Sequence, residues 1–265
     1  MADLNKREIA VNQLLMASHC LHSVLAPSEA HKRAREARCD NEDRASVLGD
    51  AVHKFMRGMN EASVVNDLQE RIAELPEEER EKVVQLAAAI AVKKKSNLKS
   101  GDNVRVERLQ SWLDSETNWT IFSQPDRVEI LADEHGEYIQ VLDWKMTKYI
   151  RRRHKEAARL FGLIQFMRGK GRMRIKLVIE CLVDASCNWS EWFSTSDALE
   201  LLREVQETLT RLDESMKCDA HAPRTTGPHC HGCKIKEACK QGGKWIARNS
   251  EVRTSARRVP VLQAA

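Results

Sequence analysis

The sequence has no apolar run approaching the roughly 20 residues that a bilayer-spanning helix needs. Its first residues, MADLNKREIAVNQ, contain no apolar leader. Both absences argue against a membrane partner and against export, so the expected location is the cytoplasm. Aromatic residues are scarce, at 5%. Internal repeats and low-complexity tracts are absent as well, which excludes a solenoid or an extended linker. Among what is present, charged residues reach 31% and apolar residues 42% of 265. That suits a helix-rich chain with ample core for one large domain or two small ones. Eight cysteines, at 20, 39, 181, 187, 218, 230, 233 and 239, are expected to be reduced in the cytoplasm.

The most informative stretch is Ser123 to Lys145, SQPDRVEILADEHGEYIQVLDWK. Two runs of alternating apolar residues flank a turn at Asp133-Glu134-His135-Gly136, which predicts a β-hairpin. Asp126 stands at its entry, and the second strand ends in Asp143-Trp144-Lys145. Side chains alternate across a strand, so Asp143 and Lys145 share a face with Ile139 and Val141. Two carboxylates can hold a hard cation, Mg²⁺ or Mn²⁺, and a lysine beside them can orient or help deprotonate a water. Taken alone, D-x-K is a frequent triplet in chains about a quarter charged, and an exposed salt bridge at a strand end explains it equally well.

Around this stretch, residues 5–25 and Ala45–Met56 read as helices, the second carrying Gly49 and His53 on one face. Residues 61–95 read as two helical stretches broken at Leu75-Pro76. Strands are predicted over Asn103–Leu113, which carries Glu107, and over Thr117–Phe122. A helix over 154–169 precedes a nearly continuous apolar strand, Arg172–Leu182, predicting a βαβ unit with parallel strands. Ser196 is expected to cap a helix to Met216, with a loop over 217–229. The net charge of +4 is mild, but Arg151, Arg152, Arg153, His154 and Lys155 are consecutive and follow the hairpin closely. They read as a phosphate-contacting rim, set against the plainer reading of a solvated helix start. Cys230, Cys233 and Cys239 give C-x2-C-x5-C, three thiolates on a tight loop, suited to an iron–sulfur cluster or zinc.

The order of these features resembles the PD-(D/E)XK nucleases of the RecB type, and most closely the phage-type exonucleases with an iron–sulfur staple. The residues that carry the resemblance are Ala17-Ser18, Gly49…His53, Asp126, Asp143-Trp144-Lys145 and Gly227-Pro228-His229-Cys230-His231-Gly232-Cys233…Cys239. They span roughly residues 15 to 240. Ser123 stands where the family usually has glycine, and Ala157 where it often has glutamine, with Glu156 one residue off and Phe161 in the place of a tyrosine.

The resemblance implies an α/β, restriction-endonuclease-like core. Its central mixed sheet would be flanked by helices, with a helical N-terminal segment and a C-terminal cysteine cluster. One nuclease domain would cover 1–245, with a helical insertion over 60–98 and the cluster at 227–240. The basic tail, 246–265, is left without predicted order. Asp126, Asp143 and His53 would be metal ligands, Lys145 the catalytic lysine, and Glu107 a further acid. Arg151, Arg152 and Arg153 would contact DNA. A [4Fe–4S] cluster would take Cys230, Cys233, Cys239 and one upstream thiol, Cys20 before Cys39. Zinc with His229 or His231 is the alternative. The implied activity is Mg²⁺- or Mn²⁺-dependent hydrolysis of DNA ends in phage or mobile-element recombination, beside a single-strand annealing protein or helicase. A non-catalytic DNA-binding or zinc-cluster interaction module is the competing expectation.

Overall fold

The computed structural model describes residues 7–26, 30, 77–78, 80–82, 85, 104–106, 109–145, 147, 149–182, 185–217, 223–233, 235–236 and 238–256. Gly49, His53, Glu107, Cys39 and nearly all of the 60–98 segment lie outside the described residues. The chain divides into two compact units, Met1–Val11 with Asp40–Gln206, and Asn12–Cys39 with Glu207–Ala265.

The first unit is α/β with two mixed sheets and flanking helices. One sheet has the order β1-β4-β3, formed by Arg7–Ala10, Trp119–Ser123 and Gln110–Asp114. The other has the order β2-β5-β6-β7-β8. Its strands are Val104–Val106, Arg127–Asp133, Gly136–Lys145, Arg174–Cys181 and Trp189–Phe193. The expected hairpin is β5–β6, with Asp133 opposite Gly136 and Glu134-His135 between them. Gly136 has φ +101, a conformation a side chain would strain. The expected parallel pairing of β6 with β7 is present, from Tyr138↔Arg174 to Lys145↔Cys181.

The crossover helix α3, Arg152–Arg168, packs on the face bearing Ile175, Leu177 and Ile179, which are almost fully buried. Its Gly162 lets helix and sheet approach, since a Cβ there would stand 2.8 Å from a Leu177 methyl and 3.3 Å from the Phe193 ring. Gln165 of α3 donates to Gln110 of β3, and Arg168 donates to the Ser111 carbonyl at 3.2 Å. Helix α4, Thr195–Lys217, begins behind a reciprocal cap. The Asp197 N–H donates to Ser194 Oγ at 3.1 Å, and the Ser194 N–H to Asp197 Oδ2 at 2.9 Å.

In the second unit, α1 (Val11–His19) and the short α2 (His22–Leu25) precede the cysteine segment. That segment opens with a 3-10 turn, Pro228–Gly232, and leads into α5, Lys240–Ala256.

Several expectations are corrected. Residues 7–10 are strand, not helix, because they pair parallel to β4 from Arg7↔Trp119 to Ala10↔Phe122. Asn103–Leu113 is not one strand but the partners of two sheets, β2 and β3. The cap of α4 is Ser194, not Ser196. β7 is not buried on both faces: it alternates, with Arg174, Lys176, Val178 and Glu180 half-buried. Among the described residues, no helix is long and apolar enough to cross a membrane.

Candidate metal and cysteine centres

The hairpin register carries Asp126, one residue before β5, to the end of β6. There Asp126 Oδ2 accepts the Trp144 N–H at 2.5 Å. Asp143 and Lys145 share a face of β6, and Lys145 Nζ stands 2.7 Å from Asp143 Oδ1. Asp126 and Asp143 are 7% and 4% exposed, so a buried carboxyl pair sits at the strand end. Burial drives the Asp143 pKa up to about 7; Lys145 opposes the rise and Asp126 adds to it. Asp143 Oδ2 is buried and accepts no hydrogen bond. Leaving such an oxygen unpaired costs free energy that a bound cation would recover.

The oxygen donors and the orphaned Oδ2 fit a hard divalent ion. Two carboxylates are only part of a coordination shell, and among the described residues no three His, Cys, Asp or Glu side chains converge on one ion. Of the sequence-predicted residues, the structure therefore brings Asp126, Asp143 and Lys145 together, while His53 and Glu107 lie outside the described residues.

The strand end is pinned from both sides. The Trp144 indole N–H donates to Glu180 Oε2 at 3.0 Å, and the Leu182 N–H to the Lys145 carbonyl at 2.9 Å. The site therefore lies at the carboxyl ends of two parallel strands, where open α/β sheets generally bind ligands. Next along the chain, the Arg151 N–H donates to His154 Nδ1 at 3.3 Å at the start of α3. Burial first, then Lys145, Arg153 and Arg151, lower the His154 pKa to about 4. It is therefore neutral at pH 7, with Nδ1 accepting and the proton on Nε2. Read in sequence, His154 is one more member of a cationic run; in the fold burial, with Lys145 and the neighbouring arginines, keeps it uncharged. Arg152 pairs with Glu156 at 2.7 Å, while Arg151 stacks over Tyr149 and Lys155 over Trp189, at 5.5 and 5.2 Å.

A second centre lies in the other unit. Cys20, Cys230, Cys233 and Cys239 line one cavity, together with His22 and Ile235. Successive tight turns set the C-terminal three. The Cys230 N–H donates to the Gly227 carbonyl at 2.9 Å, the Cys233 N–H to the Cys230 carbonyl at 3.2 Å, and the Cys239 N–H to the Lys236 carbonyl at 3.3 Å. Burial raises the Cys233 pKa, and the Cys20, Cys230 and Cys239 thiols raise it further. Gly242 leaves room for the sulfurs: a Cβ there would stand 3.5 Å from Cys239 Sγ and 3.7 Å from Cys230 Sγ. Its N–H donates to Cys239 Sγ at 3.4 Å. His229 stacks on His19 and donates from Nε2 to the Thr225 carbonyl at 2.9 Å. His231 turns its ring edge to Trp245. Four thiols lining one cavity are soft donors, the chemistry of zinc or iron–sulfur sites, and no three of them converge on a single ion.

No family model matches the chain, and no curated protein does. Among solved structures, one from Eubacterium rectale described as a "Putative exonuclease" superposes with a TM-score of 0.52 at 11% identity, covering 83% of this chain and 85% of that one. A second, described as SSO0001, gives a TM-score of 0.41 at 14% identity over 91% of this chain and 89% of that one. The first likeness extends to the fold.

Proposed function

We propose that the chain is a divalent-metal-dependent deoxyribonuclease of the RecB-like, PD-(D/E)XK kind. The observation that carries this reading is the buried Asp126–Asp143 pair, with its unpartnered Oδ2, beside Lys145. Two buried carboxylates side by side are costly without a cation. The fold likeness to a protein described as a "Putative exonuclease" supports the same reading.

Asp126 and Asp143 would hold Mg²⁺ or Mn²⁺, whose role is to acidify a water and offset charge on the phosphate. His53 is the proposed further ligand and Glu107 a further acid near the metal, both from outside the described residues. Asp126 Oδ2, fixed by the Trp144 N–H, presents its other oxygen in a set orientation. Lys145 Nζ, held on Asp143 Oδ1, orients the attacking water and stabilises negative charge on the phosphodiester. Arg151, Arg152 and Arg153 at the start of α3 would contact the phosphate backbone. Uncharged His154 can donate from Nε2 without repelling Lys145.

The finer reading is an exonuclease that prepares DNA ends for phage or mobile-element recombination, beside a single-strand annealing protein or helicase. Cys20, Cys230, Cys233 and Cys239 would hold a [4Fe–4S] cluster, with zinc as the alternative. The cavity lined by all four thiols supports the cluster. The test is degradation of DNA in Mg²⁺, Mn²⁺ or EDTA by the full chain and by Asp143→Ala and Lys145→Ala. Metal-dependent cleavage lost in both variants, with circular dichroism unchanged, is expected. Cleavage that persists in both overturns the reading and favours a non-catalytic DNA-binding module.

A further inference from the structure

Two aromatic rings, each with a cation stacked on it, border the same end of the five-stranded sheet as the acid pair. Tyr149 lies four residues after Lys145 and is 59% exposed. Its loop is fixed by the Thr147 N–H donating to the Lys145 carbonyl at 2.9 Å, and by Thr147 Oγ donating to the Tyr149 carbonyl at 3.0 Å. The Arg151 guanidinium stands 5.5 Å over the ring, leaving its exposed area free to meet something else.

Trp189 is the second ring. The pairings Asp143↔Ile179 and Ile179↔Trp189 put it in the same register row as Asp143. Paired residues point to one face, so Trp189 lies two strand spacings from Asp143, about 10 Å, on the same face. Lys155 Nζ stands 5.2 Å over it.

Trp192, the other exposed aromatic among the described residues, makes a poor comparison. It carries Arg174 and Lys176 over its ring, at 4.6 and 5.6 Å, but lies towards the far end of β8, away from the acid pair.

We infer that Tyr149 with Arg151, and Trp189 with Lys155, form base-stacking positions that hold an unpaired DNA strand against the acid pair. This names the substrate class of the proposed nuclease site and rests on that reading. Bases in a duplex are stacked on one another and offer no face to a protein ring, whereas unpaired bases do. The cation on each ring takes the adjoining phosphate, so base and backbone are met together. Stacking does not discriminate among bases, so the strand is selected for being unpaired and not for its sequence.

The test is fluorescence anisotropy of a labelled oligothymidylate and of a duplex of equal length, in EDTA at one fixed salt concentration. The wild type is expected to prefer the single strand. Tyr149→Ala and Trp189→Ala should each weaken single-strand binding about 10-fold, the effect of losing one stacked base. Tyr149→Phe should keep it, and duplex binding should barely change. Because Trp189 is half-buried, Trp189→Phe serves where the alanine variant fails to fold, and it should retain binding. No change in Tyr149→Ala, or an equal loss on duplex and single strand, overturns the inference. EDTA separates the two questions: single-strand binding without cleavage in Mg²⁺ sinks the nuclease reading alone. Cleavage of DNA with no single-strand preference sinks this one alone.

Discussion

Asp143→Asn should make the metal-free protein more stable while removing its proposed activity. Asp143 has a pKa of about 7 in the fold against a reference value of 3.8, because burial penalises its charge. Below the reference value both folded and unfolded chains carry the proton, and the group adds no pH dependence. Between the two values the unfolded chain ionises and the folded one does not, so stability falls as pH rises. Above about 7 the loss is complete, with a ceiling of about 4 kcal/mol from a separation of roughly three pH units. Asparagine is isosteric, carries no charge, and its amide can donate to Asp126. The attraction of Lys145 is already contained in that separation, and relaxation around the buried charge reduces the gain, so about 1–2 kcal/mol should remain. That corresponds to a rise in Tm of about 2–6 °C for a chain of this size. The assay is thermal unfolding in EDTA at about pH 8 and at about pH 3, below the reference value, where folded and unfolded chains both carry the proton and the difference should vanish. In Mn²⁺ the order should reverse, because an ion at a hundred times its Kd adds about 2.7 kcal/mol to the wild type alone. An Asn variant no more stable than wild type at pH 8 in EDTA, or stabilised equally by Mn²⁺, refutes the reasoning.

Replacing Cys20 with serine should abolish the visible absorption and the iron content of anaerobically purified protein, as should Cys230→Ser; a colourless wild type with stoichiometric zinc would decide for the other metal. Ser194→Ala removes the hydroxyl's two bonds to Asp197 but keeps the Ser194 N–H half of the cap, and should cost about 1 kcal/mol, read as a fall in the urea midpoint. Hydrogen bonds from Ser194 hold the Asp197 carboxyl below its usual range. This contribution is present above the unfolded pKa and lost as pH falls through the folded one, so the wild-type advantage should shrink in acid. Gly162→Ala gains helix propensity but drives a Cβ to 2.8 Å from a Leu177 methyl that has no free space around it. Overpacking should win by about 1 kcal/mol or more, seen as a lower Tm.

Local patterns in the sequence predicted the hairpin, the parallel βαβ crossover and the two ends of the D-x-K motif. Each rests on short-range physics: a turn with a glycine at positive φ, a period of two, a period near 3.6. What escaped depended on distant partners. Arg7–Ala10 looks helical beside the run that follows it, and is a strand because β4 offers an open edge. β2 and β3 read as one strand because their separation is decided by two different sheets. The state of His154 was illegible for a further reason. A histidine among arginines looks cationic, and only the fold reveals that burial and those same charges hold it neutral.

The two centres also differ in the chemistry that would fill them. At the strand end, the backbone of Trp144 holds one carboxylate and Lys145 the other, and Asp143 Oδ2 is buried without a hydrogen bond. Hard oxygen donors suit an ion that exchanges water, which catalysis requires. In the cysteine cavity, the donors are soft and the turns enclosing them are short. One of the sulfurs also accepts a backbone N–H, the contact that lowers the energy of a thiolate. If both centres are loaded, chelation by EDTA should therefore strip activity without unfolding the cysteine segment, whereas oxidation of the thiols should loosen residues 20–26 and 228–242 with the acid pair intact. Hydrogen exchange over those two segments, measured beside cleavage, separates the outcomes. Protection lost from both centres under EDTA alone refutes the division of labour.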